Sequence, residues 1–374
     1  MKLHEFQAKA LFRDYGIPTP QGELATTVAS SIEAANRIGY PCVLKSQVLR
    51  GGRGKAGLVD IVHSPEEART ASEFIFASDW KVRRVLVEPA VDHVRELYLS
   101  FSADAPSGAH LLLASADGGV EIEELARTAP DKIIRTRIDS MRGIMPFEAR
   151  ALAYDLGLDP AIAKNFAPIV EKLYRLYVEK DAELAEINPL FLTGEGTFVA
   201  ADAKISIDDN ALFRHTEFQQ EDADFDSDIA REAAAEGIPY LQFDGDISLM
   251  CAGAGLTTAV YDLVVDFGGS VANYLEFGGP NYRKSVRAME LCVRNNPKVI
   301  LIVTFGTIAR ADIMAEGIVE AIGRLKPTCP IVTCIRGTGE EKAHEILRGA
   351  GLTPLIDTEE AVRSAVALSK GGRP

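Results

Sequence analysis

Apolar and polar positions divide the chain into two regions of different rhythm. In the first, the opening stretch HEFQAKALFRDYG places Phe6, Ala10, Leu11 and Phe12 on one helical face, which Gly16 can terminate, with Pro18 beyond it. Strand-like runs follow at residues 43–48, 58–62, 85–88, 97–101 and 111–115, separated by polar turns, and residues 161–178 carry the period of a long amphipathic helix. This half reads as α+β. Between His215 and Arg231 lie Glu217, Glu221, Asp222, Asp224, Asp226 and Asp228 with no basic residue among them, which marks a solvated linker. Two domains are therefore expected, over residues 1–228 and 229–374. In the second, apolar strands at 247–251, 271–274, 299–303, 331–334 and 354–356 alternate with helical segments such as 257–267, 283–295 and 313–325. That alternation predicts a parallel sheet with helices on both faces, whose ligands collect at the carboxyl ends of the strands. The loops at those ends are Gly253-Ala254-Gly255, Gly278-Gly279-Pro280, Gly306-Thr307-Ile308 and Arg336-Gly337-Thr338-Gly339.

Charge narrows the partners. A net charge of −14 and a pI near 5.0 over 374 residues argue against nucleic acid or an anionic membrane, so positive charge must be local. Residues 1–7 are polar and no stretch of about 18 apolar residues occurs, so neither a signal peptide nor a span is expected. Cys42, Cys251, Cys292, Cys329 and Cys334 are scattered without metal-type spacing and read as buried apolar residues in a reducing cytoplasm.

The local positive charge lies in VLKSQVLRGGRGKAGLVDIV, residues 43–62. Lys45 interrupts a β-branched run, Gly51, Gly52, Gly54 and Gly57 free the backbone to approach an anion, and Arg53 and Lys55 add charge. Gly52, Gly54 and Gly57 satisfy a dinucleotide fingerprint in letters, but that motif needs a following helix and residues 58–62 read as a strand. No GxxxxGK[ST] loop occurs. What remains is a strand, loop and strand closing over phosphates, or a basic hairpin at the surface.

Residues 184–187 and 197–203 read as two strands of a hairpin joined across Gly194 and Gly196, which brings Asn188 near Asp202. Two oxygen ligands facing one point suit magnesium with a nucleotide. Glu186 lies on the same strand face as Asn188, where it can orient a cationic or phosphorylated group. The alternative for each acid is a solvated strand residue, and for Asn188-Pro189 a turn. Glu88 and Glu96 could meet ribose or adenine edges, yet each alone reads as a surface carboxylate.

The segments LHEFQAKALF, GGRGKAG, GGVEIEE from Gly118, EINPL from Glu186 and NALFR from Asn210, in this order, resemble the β-subunit family of succinate–CoA ligase. The resemblance implies an N-terminal ATP-grasp domain followed by a flavodoxin-like CoA-ligase domain. It implies formation of an acyl-CoA from a carboxylic acid, CoA and a nucleoside triphosphate. Lys45, Gly52, Arg53, Gly54, Glu88, Val91 and Glu96 would hold the nucleotide, and Asn188 and Asp202 Mg²⁺. Glu186, the catalytic candidate, would steady a phosphohistidine loop arriving from a partner α subunit that also binds most of CoA. The assembly would be αβ or α₂β₂, and Pro20 stands where ATP-using members tend to carry proline.

Departures from the family cluster in the second domain. CAGAGL puts Ala252 where asparagine is usual, FGTIAR places Thr307, Ile308 and Ala309 at substrate-lining positions, Arg336 replaces a glutamate, and YLEFGGP replaces FLDVGGG. These loops resemble those of ATP-citrate lyase and citryl-CoA synthetase. Succinate is the expected acid, with citrate, malate or a similar organic anion as the alternative. An arginine at a strand end can hold a second carboxylate bidentately, unless it pairs with nearby Glu340 or Glu341. An ATP-grasp ligase using an amine or bicarbonate, and a non-catalytic regulatory subunit, are the competing readings.

Overall fold

The computed structural model describes residues 1–218, 225 and 227–372. The chain divides into two units, residues 1–220 and 221–374. The expected boundary at 228/229 would cut the first residue from a helix, Asp228–Ala235, that belongs whole to the second unit. Of the expected acidic linker, Glu221, Asp222, Asp224 and Asp226 lie outside the described residues.

The first unit begins with α1 (Glu5–Asp14), started by His4, whose backbone N–H donates to Gln7 Oε1 at 2.9 Å, and ended by Gly16 at φ +74°. Then come β1 (Glu23–Ala25), α2 (Val28–Ile38), β2 (Cys42–Ser46), β3 (Val59–Val62), α3 (Pro65–Ala77) and β4 (Val85–Pro89). Thr27 and Ser64 cap α2 and α3 by accepting from backbone N–H groups three residues on. The four strands form an antiparallel sheet in the order β1-β4-β2-β3. Ala34 and Ala35 of α2 and Ala68, Ala71 and Ile75 of α3 bury its core with Leu44, Val62 and Val87.

A second antiparallel sheet follows. Its elements are β5 (Arg95–Asp104), β6 (Ala109–Ser115), α4 (Ile122–Thr128), β7 (Ile133–Ile138), α5 (Pro146–Asp155), α6 (Pro160–Glu179), β8 (Ala182–Leu192), β9 (Phe198–Ala200) and β10 (Lys204–Ile207). The strand order is β10-β8-β5-β6-β7, with β9 also on β8. The amphipathic α6 packs Phe166, Val170 and Leu173 into one cluster with Phe101, Leu112, Ile187 and Phe198. Truncating a fully buried phenylalanine such as Phe166 costs about 3–5 kcal/mol.

The second unit runs α7 (Asp228–Ala235), β11 (Tyr240–Gln242), β12 (Ile247–Ala252), α8 (Ala254–Asp266), β13 (Val271–Leu275), α9 (Ser285–Val293), β14 (Val299–Gly306), α10 (Ala311–Leu325), β15 (Ile331–Gly337), α11 (Glu340–Gly349) and α12 (Thr358–Ser369). Its sheet order is β11-β13-β12-β14-β15, parallel except for the edge strand β11. Two separate cores cover the two faces: Ile300 and Ile302 join α9, α10 and α11, whereas Val299, Leu301 and Val303 join α8 and α12. Burial on both faces is why these strands read as unbroken apolar runs. Residues 354–356, expected as a strand, make only a bridge from Pro354 to Thr333. No helix among the described residues is long and apolar enough to cross a membrane.

Candidate functional site

In the first unit the glycine-rich segment links β2 to β3, so a strand and not a helix follows it, and the dinucleotide reading is set aside. The loop folds back on itself, with Leu58 N donating to Arg53 O at 2.9 Å, and Gly52 takes φ +85°. Lys55 at its tip lies 3.0 Å from Glu121 and 3.7 Å from Glu124, tying the loop to the GGVEIEE segment.

Beneath the loop is a cluster of three cations and three carboxylates: Lys9, Lys45, Arg53, Glu5, Glu88 and Asp202. Glu5 on α1 is its centre. Its Oε1 lies 2.8 Å from Lys9 Nζ and 3.0 Å from Lys45 Nζ, and its Oε2 accepts from Arg53 Nη1 at 2.8 Å. Lys9 Nζ also donates to both Glu88 oxygens, at 2.8 and 2.6 Å, and both lysines donate to the Ala201 carbonyl. Arg53 Nη2 donates to Asp202 at 3.0 and 3.2 Å.

Buried charges persist only when paired and hydrogen-bonded. Burial alone would raise the Glu5 carboxyl, but Lys45, Lys9 and Arg53 outweigh it and hold the group well below its ordinary range. Burial pulls Lys9 down, whereas for Lys45 and Arg53 the neighbouring carboxylates outweigh burial and push both up. Desolvation, joined by Glu5, raises Asp202 against the pull of Arg53 and Lys45.

Sequence reasoning missed Glu5 and Lys9, which are 4% and 1% exposed. The available signal was their i, i+4 spacing on the helix face that also carries Ala8 and Phe12. Glu88, read alone as a surface carboxylate or a ribose ligand, is 1% exposed and closed in by Lys9 and Lys45.

The expected hairpin is present but interrupted. Leu190 pairs with Ala200 of β9 and Glu186 with Lys204 of β10, so the register carries Asn188 across from Asp202, where the partner strand breaks. Asn188 Oδ1 accepts from Gly119 N and its Nδ2 donates to Val120 O, both at 2.9 Å. Glu96 borders the same loop, since a Cβ on Gly119 would stand 2.0 Å from its Oε2. His93 Nε2 lies 2.9 Å from Glu96, its Nδ1 lies 3.0 Å from the Val91 carbonyl, and its ring stacks on Phe191. Glu186 accepts from the Tyr98 hydroxyl at 2.8 Å, and burial raises its carboxyl against the pull of Lys204. Burial pushes the Cys42 thiol up to about 11 and Cys251 to about 12, so neither is a ready nucleophile.

In the second unit, the expected acid-lining loops meet at the carboxyl ends of adjacent strands β12, β14 and β15. Ala252 ends β12 and is buried, Thr307 and Ile308 are exposed, the latter at 94%, and Ala309 is half-buried. Glu276, from YLEFGGP, accepts from Gly253 N at 3.0 Å and Gly278 N at 2.8 Å, joining two of the loops. Gly337, at φ +111°, has Gly306 O only 1.9 Å from where a Cβ would stand, so the ends of β14 and β15 press together. Arg336 Nε lies 2.8 Å from Glu340 Oε1 and its Nη1 donates to the Ile356 carbonyl. The local pairing foreseen as the alternative for Arg336 is thus present.

The ATP-grasp domain family matches residues 2–192 and the CoA-ligase family residues 250–368. Over 371 residues the chain is 54% identical to the ADP-forming sulfoacetate–CoA ligase subunit SqwK of an Acholeplasma species, covering 99% of this chain and 92% of that protein. It is 40% identical over 377 residues to the ADP-forming succinate–CoA ligase β subunit of Roseiflexus sp. strain RS-1, covering 99% and 100%. ATP citrate lyase from Methanothrix soehngenii, solved with citrate and coenzyme A, shares the fold with a TM-score of 0.73 at 21% identity, over 99% of each chain.

Proposed function

Since the chain belongs to the family of ADP-forming acid–CoA ligase β-type subunits, we propose that it is the nucleotide-binding subunit of a ligase that joins a short sulfonated carboxylic acid, sulfoacetate first, to CoA. Succinate, the acid expected from sequence, becomes the second choice. The observation that carries this change is the likeness of 54% to a sulfoacetate–CoA ligase subunit against 40% to a succinate–CoA ligase β subunit.

The chemistry of the acid supports it. Sulfoacetate is a dianion like succinate, but its distal group is a tetrahedral sulfonate with charge spread over three oxygens. Alanine at 252 in place of the family's usual asparagine leaves room for a bulkier head group. Arg336 can meet such a group with two parallel N–H donors once it exchanges Glu340 for the ligand.

A carboxylate is a poor electrophile. Transfer of the γ-phosphoryl group, by way of a histidine on the partner α subunit, makes its oxygen a leaving group that the CoA thiol displaces, releasing phosphate. In this reading Lys45 and Arg53 hold phosphate oxygens, and Glu186 steadies the partner's phosphohistidine. Asn188 Oδ1 and the Asp202 carboxylate supply the hard oxygen donors Mg²⁺ prefers, and two protein oxygens suit an ion that keeps waters and phosphate oxygens. No group of three or more His, Cys, Asp or Glu among the described residues offers an all-protein cage. When bound, the ion offsets charge on the transferring phosphoryl group.

The test is to incubate γ-phosphate-labelled ATP with the reconstituted two-subunit complex. Acid-labile label on the partner chain supports the reading. Label on this chain, or none on either with full ADP release, overturns it.

A further inference from the structure

We infer that Glu5 is a positioning residue for nucleotide phosphates, acting through Lys45 and Arg53. The inference rests on the nucleotide-binding role proposed above and deepens it. Lys45 lies on β2 and Arg53 in the loop beyond it; Glu5 contacts both, and Asp202 contacts Arg53 and acts on Lys45 through charge. Asp202 is assigned to the metal in that reading. Glu5 is then the carboxylate left to hold both cations.

The geometry of Glu5 suits that task. Each of its oxygens serves a different phosphate cation, Oε1 at 3.0 Å from Lys45 and Oε2 at 2.8 Å from Arg53. One rigid planar group therefore sets the spacing between the two positive charges. Its own position is fixed by the first turn of α1, where a carboxylate is favoured by the helix dipole, and by Lys9 one turn on. Lys9 in turn is anchored by Glu88 and the Ala201 carbonyl, so the arrangement is tied to β4 and to the chain beside Asp202.

The cluster's charges also matter. Three cations and three carboxylates leave it neutral, and a neutral cluster has little pull on phosphate. With Asp202 engaged by a metal, Lys45 and Arg53 would be left to the phosphates, and Glu5 would fix where they stand. A group that only balanced charge would be replaceable by removing a cation. A group that positions would not.

That difference defines the experiment. Glu5→Gln alone leaves a buried excess positive charge and can fail to fold, so the deciding variant is Glu5→Gln/Lys9→Met, which removes one charge of each sign. In complexes reconstituted with the partner subunit, Mg·ADP affinity is measured by titration calorimetry, and KM for ATP, acid and CoA by ADP release. The expected result is a loss of nucleotide affinity of about tenfold to a hundredfold, as for a misplaced orienting group. KM for ATP should rise in step, while KM for acid and CoA stays within about twofold. Nucleotide affinity within about twofold of the unmodified complex would overturn the inference and leave Glu5 a charge-balancing residue. Should the double variant not fold, Glu5→Asp decides, because it keeps the charge and withdraws the carboxylate by one methylene. Weaker Mg·ADP binding at an unchanged melting temperature supports positioning; unchanged binding overturns it. Absence of Mg·ADP binding by the unmodified complex would instead overturn the nucleotide-binding reading, and this inference with it.

Discussion

Arg53 grips Asp202 with two hydrogen bonds, 3.2 Å to Oδ1 and 3.0 Å to Oδ2, so a cation proposed for phosphate is paired with a carboxylate proposed for metal. Asparagine at 202 keeps the volume and one acceptor but loses the charge, and Arg53 retains Glu5. Asp202→Asn should therefore keep the fold while kcat/KM for Mg·ATP falls about a hundredfold, roughly 2.7 kcal/mol. The check is ADP release across a Mg²⁺ titration; unchanged turnover would leave Asp202 as a partner of Arg53 alone.

Two carboxyls, Glu5 buried and Glu186 partly buried, should respond to pH with opposite sign. Glu5 is held well below its ordinary 4.5, because Lys45, Lys9 and Arg53 outweigh its burial, so it binds fewer protons folded than unfolded. Its stabilisation is fully present above that ordinary value and is lost as pH falls through the folded one. Glu186 is raised above 4.5 by burial, so its charged form costs stability as pH rises through that window. Glu5→Gln should accordingly destabilise by about 3–5 kcal/mol near neutral pH, with the loss shrinking in acid. Glu186→Gln should raise the melting temperature near neutral pH, with the gain vanishing in acid. Calorimetry over a pH series checks both, and the reverse trends would contradict the assignments.

What the sequence disclosed follows from how each feature is stabilised. The period of α6 and the apolar runs of β12 and β14 were readable because one face, or both, is buried along the whole element. The edge strand β11 was not, since an exposed leucine between two partly buried polar residues carries no pattern, whereas 354–356 has the apolar letters but only one bridge. At the site, glycines and cations made the loop legible. Glu5 and Lys9 were hidden because charges on a helix usually face water, and Glu88 because its partners Lys9 and Lys45 reach it only through the tertiary fold.

Gly119 tests the loop that Asn188 holds. With φ +73° and Glu96 Oε2 only 2.0 Å from a Cβ, Gly119→Ala should destabilise by about 1–3 kcal/mol and weaken nucleotide binding by displacing Glu96. Gly51 has open space around it, so Gly51→Ala should change stability by no more than about 0.5 kcal/mol. Equal effects, measured by denaturant unfolding, would contradict the backbone strain placed at Gly119.

Arg336 separates substrate recognition from local pairing. Its half-exposed pair with Glu340 contributes no more than about 1 kcal/mol, so Arg336→Ala should fold. KM for the acid should rise about tenfold with KM for ATP unchanged, if the guanidinium holds the distal anion. A parallel change in both, or in neither, would confine Arg336 to bracing the end of β15.

That the acid carries a sulfonate is tested most directly by measuring ADP release from Mg·ATP by the two-subunit complex with CoA and, in turn, sulfoacetate, succinate, malate and citrate. A kcat/KM for sulfoacetate at least about tenfold above that for succinate is the predicted result. Preference for succinate, or no discrimination between the two, would contradict it and make Ala252, Thr307 and Arg336 neutral variation around a succinate site.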